Sequence, residues 1–191
     1  MSYKKIAVLT LIWTLFIPAT LLSQIEEEEV LVPSIDGIIK IDGLGEEIEW
    51  EKASWTSNFW MWRPTDSLQA KKQTRFKIIR DEQNLYILVE VKIDGKNFTT
   101  PNLKRDFSTF GVDYLTLLFD TFSDATNAFS FATNPLGIKA DGLISGGNQD
   151  YRTSRNYAWD TKWNVETKIE EDRYPAEFRI PLTSMFYDNK N

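Results

Sequence analysis

The chain has 191 residues, a formal net charge of −6, and neither Cys nor His. The acid excess argues against nucleic acid, whose affinity comes mainly from Lys and Arg neutralising phosphates, and against an anionic membrane surface. Without His and Cys there can be no Ser-His-Asp or Cys-His nucleophile system and no zinc site built on those ligands. Carboxylates, Tyr, Lys, a hard cation or binding without catalysis are what remain.

Met1 to Lys5 carries Lys4 and Lys5, Ile6 to Ile17 is apolar apart from Thr10 and Thr14, and Pro18 to Ser23 breaks the run and ends on a small residue. A basic start, a short apolar core and a small residue near the end make a secretory signal peptide over 1–23. The apolar run is shorter than the roughly 20 residues a spanning helix needs. Cleavage is expected near Ser23 or Gln24, the alternative being an uncleaved anchor. Removing 1–23 takes away Lys4 and Lys5 and no acid, which moves the charge from −6 to −8. The expected location is therefore outside the cytoplasm: periplasm, cell surface or outer membrane. Residues 24–34 contain the acid run Glu26 to Glu29, expected to be a solvated, mobile start. Residues 35–191 are of ordinary single-domain size, large enough to fold without disulfides, and are expected to be monomeric.

Ile35 to Gly43 reads IDGIIKIDG, two Asp-Gly turns around a short apolar strand. Glu46 to Trp55 is expected to form a short helical turn with Trp50 on the core. From Thr74 the pattern has period two. Phe76 and Ile78 share a side. Leu85, Ile87, Val89 and Val91 share another after a polar turn at Asp81 to Asn84, which makes a hairpin. Leu115, Leu117 and Phe119 face one way in the next strand. An oxygen-rich turn follows, then Phe129 and Phe131 in AFSFAT, then Asn-Pro-Leu-Gly and a second acidic corner at Asp141-Gly142. Trp163, Val165, Thr167 and Ile169 alternate, as do Tyr174, Ala176, Phe178 and Ile180 before Pro181. At least six such runs with little helical periodicity predict an all-β protein, an antiparallel β-sandwich of jelly-roll or immunoglobulin-like kind. The polar loops at Gly95 to Ser108 and Gly146 to Tyr157 are where binding residues are expected.

Pieces along the chain resemble a carbohydrate-binding module of family 9 type. More narrowly, they resemble the version at the N-terminus of exported bacterial proteins whose second half is a predicted outer-membrane β-barrel. The pieces are Ile41-Asp42-Gly43 with Glu47, Trp50 and Ala53; Asp81 with Leu85-Tyr86; Arg105-Asp106; Phe119-Asp120-Thr121 with Asp124, Asn127-Ala128 and Phe131; Asn134-Pro135-Leu136-Gly137 with Asp141-Gly142; Trp159-Asp160 with Trp163; and Glu177 with Ile180-Pro181. They keep the family's order over roughly residues 35–187. Two positions depart from it. Leu44-Gly45-Glu46-Glu47 stands where the family usually has any residue, then Leu-Asp-Glu. Val112 precedes Asp113 where the family often has two acids. The chain stops at Asn191, about where the barrel would begin, so a C-terminal barrel is a conceivable missing partner.

The resemblance implies a carbohydrate partner and a site built from Trp and polar side chains. The candidates are Trp60, Trp62, Arg63, Arg105, Asp106, Trp159 and Asp160. Trp60 and Trp62 lie on one side of an extended run beside Arg63. For these two and Trp159, packing and ligand contact are both open, whereas Trp50 and Trp163 read as core. Arg105 and Asp106 can pair with other charges or with a ligand. Glu177 and Arg179 read as a cross-strand pair. Asp120, Asp124 and Asn127 place three oxygen side chains within eight residues. Such a cluster either ligates Ca²⁺ or builds the turn by bonding its own backbone, and the resemblance supports calcium. The expected function is a non-catalytic sugar-binding module associated with polysaccharide breakdown or uptake. The alternative is a docking domain of a barrel protein without sugar binding. A carboxylate glycosidase, motivated by acid content alone, ranks last.

Overall fold

The computed structural model of the chain describes residues 29–62, 64–100, 103–146 and 155–186. The expected signal peptide, Glu26 to Glu28, Arg63 and most of the loop after Gly146 lie outside the described residues. Hydrogen bonding of the sandwich begins at Pro33, before the expected end of the mobile start: the Pro33 carbonyl accepts from the Arg80 N–H, and Ile35 N–H donates to the Arg80 carbonyl.

Eight strands form among the described residues: β1 (Thr74–Arg80), β2 (Asn84–Lys92), β3 (Leu115–Phe119), β4 (Ala128–Thr133), β5 (Lys139–Ile144), β6 (Arg155–Asn156), β7 (Asn164–Thr167) and β8 (Arg173–Pro181). They make two four-stranded antiparallel sheets, ordered β1-β2-β8-β7 and β3-β4-β5-β6. The strands on either side of the oxygen-rich turn and of Asn-Pro-Leu-Gly form a three-strand meander, β3-β4-β5. The inward faces are the predicted ones. Ile87 and Val89 of β2, Phe129 and Phe131 of β4, Val165 of β7 and Ala176, Phe178 and Ile180 of β8 meet with Trp163 in the main core. Trp163 stacks on Phe178 with ring centroids 6.0 Å apart and meets Phe131 edge-on at 5.3 Å.

Both outer faces are also covered, which period-two alternation alone does not foretell. On the first sheet, Ile79, Tyr86 and Leu88 point away from the main core, yet they are buried. The segment 35–53 lies over them through Ile35, Ile39, Trp50 and Ala53. Its Ile48–Lys52 stretch is the expected helical turn, a 3₁₀ helix with Trp50 buried. On the second sheet the outward residues are small: Ser130, Ala132, Ala140 and Gly142. Phe107, from the loop between β2 and β3, packs on the two alanines with Tyr114, Ile138 and Tyr157 around it.

Candidate functional site

The family-like turns are structural first. Glu177, on the outer face of β8, is buried. Its Oε2 accepts from the N–H groups of Asp42 (3.0 Å) and Gly43 (2.8 Å), and its Oε1 from the Trp50 indole (3.3 Å). Burial pushes this carboxyl above its ordinary range, with the N–H donors pulling the other way. Glu177 is thus an anchor for the covering segment. Its strand neighbour Arg179 makes the cross-strand bond instead, from Nη2 to Asn164 Oδ1 at 2.7 Å. Gly45 has φ +65°, and a Cβ there would lie 2.6 Å from a Leu88 methyl, so the family departure at this position is what the turn over Leu88 requires. Asp81 caps the β1–β2 turn, accepting from Gln83, Asn84 and the Tyr86 hydroxyl. Asn134 Oδ1 does the same for Leu136 and Ile138.

The acidic corner behaves likewise. Asp120 accepts from the N–H groups of Phe122, Asp124 and Ala125. Asp124 accepts from Thr126 and Asn127 and from the Asn127 amide. The Asn127 amide, and then the Thr126 and Asn127 N–H groups, hold the Asp124 carboxyl well below its usual range. These oxygens are committed to the turn, and among the described residues no three carboxylates converge as a metal site. The donor set therefore fits a turn rather than calcium, which would have to compete with these N–H groups.

Arg105, Asp106 and Asp160 do come together. Beyond the short β6 the edge of β5 is bare, and the Arg105-Asp106 loop seals it. Asp106 N–H donates to the Lys139 carbonyl, and Asp106 Oδ1 accepts from Asp141 N–H. Arg105 Nη2 then reaches the buried Asp141 (2.6 Å), Asp160, and the Thr161 carbonyl (3.3 Å). Asp141 Oδ2 in turn accepts from Thr161 N–H. This network pins the crossover from β6 to β7 and lines an open cleft of about 930 Å³ with Lys139, Lys162, Asn164 and Arg179. Trp159, in the same crossover, is half-buried on Phe129 and Phe131 at 5.3 and 5.9 Å, so packing accounts for it.

Trp60 and Trp62 lie elsewhere. Met61 N–H donates to the Leu68 carbonyl and Ala70 N–H to the Phe59 carbonyl, making a small antiparallel ribbon before β1. It is tied to the start of β1 through Thr56–Phe76 bonds and Gln73. The indoles are 59% and 54% exposed. The cleft sits at the opposite end of the strands and towards the β7 edge. The two places are on the order of 20 Å apart, at about 3.4 Å per residue along a strand and 4.8 Å between strands.

Arg155 is the residue the sequence reading missed. It is buried on the outer face of the second sheet, its stem against Gly142, where a Cβ would meet Arg155 Cγ at 2.9 Å. Its Nη2 is 3.4 Å from Thr116 Oγ1, itself 3.3 Å from Ser130 Oγ, and the guanidinium lies 5.7 Å from the Tyr157 ring. Nε and Nη1 are buried without a hydrogen-bond partner. The visible signal was weak: a basic residue opposite a strand of small residues.

A family model described as carbohydrate family 9 binding domain-like matches residues 41–191. Solved structures share the fold. A family 9 carbohydrate-binding module from Caldicellulosiruptor kristjanssonii in complex with glucose is 20% identical, with a TM-score of 0.54 over 80% of this chain and 68% of that one. The complex of a family 9 module from that organism with cellotriose gives 19% and 0.55, over 81% and 68%. A proposed carbohydrate-binding protein from Bacteroides uniformis gives 9% and 0.60, over 80% and 72%. No curated protein sequence matches the chain.

Proposed function

Because the chain belongs to the carbohydrate family 9 binding domain-like family, we propose that it is a non-catalytic sugar-binding module of an exported protein, serving polysaccharide breakdown or uptake. The observation that carries this reading is the pair of exposed indoles, Trp60 and Trp62, two residues apart at a hydrogen-bonded ribbon. Side chains two apart in an extended chain point the same way about 6.8 Å apart, which presents two apolar platforms to the C–H faces of a saccharide. The ribbon is held before any ligand arrives, so little ordering cost is added on binding.

Titration calorimetry with glucose, cellotriose and a panel of oligosaccharides tests the reading. Trp60→Ala and Trp62→Ala are expected to weaken binding roughly tenfold or more, the weight of a truncated Trp anchor. Because both rings are exposed, stability should change by no more than about 0.5 kcal/mol. Absence of heat with every sugar would end the proposal.

A further inference from the structure

We propose that the cleft between the β6–β7 crossover and the end of β8 is a second binding site, for an acidic sugar: a saccharide carrying an oxyanion, either the carboxylate of a uronic acid or a sulfate ester. The sugar half of this inference rests on the function proposed above; the anion half does not.

In a chain of net charge −6, this cleft is lined by four cations, Arg105, Lys139, Lys162 and Arg179, and one carboxylate, Asp160. Their pairing is uneven. Arg105 holds Asp141 and Asp160, with Asp106 3.8 Å away, so its charge is already answered. The other three have no carboxylate at salt-bridge distance among the described residues. Lys139 Nζ donates to the Trp163 carbonyl at 2.8 Å and lies 5.2 Å from that indole. Burial and the neighbouring Arg105 charge push its amine below the usual range, with Asp141, Asp160 and Glu166 acting on it only through space. Arg179 is oriented by Asn164 rather than by an acid, and Lys162 is exposed.

A half-buried ammonium held by a carbonyl beside other cations gains most from an incoming anion, because opposite charges interact strongly away from bulk water. Charge-assisted hydrogen bonds to an oxyanion are also about twice as strong as neutral ones. Asn84, Thr161, Thr183 and Ser184 also line the cleft and present amide and hydroxyl oxygens to sugar hydroxyls, the donors of Asn84, Thr161 and Ser184 being used within the protein. Trp163 is buried and offers no stacking platform, so the cleft recognises charge and hydroxyls rather than ring faces. That sets it apart from the Trp60–Trp62 ribbon.

The test is calorimetry of the full chain with oligogalacturonate, a sulfated oligosaccharide, cellotriose and inorganic phosphate, at about 50 and 200 mM salt. The expected result is that one of the acidic sugars binds and weakens with salt, and that Lys162→Gln and Arg179→Gln each cost about tenfold. These two side chains lie at the surface, and circular dichroism should show the fold unchanged. Which acidic sugar binds tells carboxylate from sulfate. The inference is overturned if neither acidic sugar binds, if binding ignores Lys162 and Arg179, or if inorganic phosphate binds as tightly as either. Failure of the ribbon reading would look different: loss of neutral-sugar binding, or its indifference to Trp60 and Trp62, with the charge-dependent signal still present.

Discussion

Removing the Glu177 carboxylate should loosen the covering segment from the first sheet. Glu177→Ala leaves the N–H groups of Asp42 and Gly43 and the Trp50 indole without their acceptor. The Gly43 and Trp50 bonds are fully buried, and an orphaned buried donor costs about 1–3 kcal/mol. Two such donors set a range of about 2–6 kcal/mol. Removing a buried carboxylate also removes its dehydration cost, which places the expected loss near 3 kcal/mol. For a chain of this size that lowers Tm by about 6–12 °C. Glu177→Gln keeps the shape and one acceptor but turns an N–H₂ group towards a donor, so about 2 kcal/mol is expected. Urea unfolding followed by tryptophan fluorescence measures both, with the Trp50 environment as a local reporter. Glu166→Ala is the control, because Glu166 lies opposite Glu177 on β7 and is exposed; it should shift stability by less than about 0.5 kcal/mol. A Glu177→Ala protein as stable as the parent, with an unchanged m-value, would refute the anchor.

Three other outcomes follow from the same geometry. Gly43→Ala should cost about 2–4 kcal/mol in urea, since φ is +78° and a Cβ would lie 2.8 Å from the Thr167 backbone carbon. Tyr86, pushed up to about 12 by burial and by its bond to Asp81, should ionise there in a 295 nm titration. Its folded value lies above the ordinary 10, so its share of stability is intact below pH 10 and is lost as pH rises towards 12. Asp124→Ala should lower Tm by opening the turn at Thr126 and Asn127, equally with calcium or with a chelator; a calcium-induced rise in Tm that this variant abolishes would restore the ion reading.

The sandwich was legible because alternation is a local signal. Phe129 and Phe131, or Phe178 and Ile180, announce their face within a few residues. The covering of both outer faces was not legible, because it depends on partners far away: Trp50 meets Glu177 across 127 residues, and Phe107 meets Ala132 and Ala140 through a loop that reads as polar. The site candidates divide along the same line. Asp120 and Asp124 satisfy their own turn, a local event visible in the Asp and Asn spacing. Arg105 and Asp160 were singled out separately, and only the sealing of the β5 edge brings them together at Asp141. Arg155 went unnoticed because its surroundings come from three other strands, β3, β4 and β5. Trp60 and Trp62 are both exposed, while Trp159 packs on the Phe129 and Phe131 rings of the core.

The strand order of the first sheet sets a schedule for assembly. β8, the latest in the chain among the described strands, lies between β2 and β7 and pairs with both, and it carries the carboxylate that fastens residues 42 and 43. Until residue 181 has emerged, β2 lacks its central neighbour, and the covering segment has Ile79 and Leu88 to pack on but no carboxylate to fasten it. The opening residues therefore wait for the closing ones. Cutting the chain before residue 173 should leave the second-sheet meander facing only the β1–β2 hairpin.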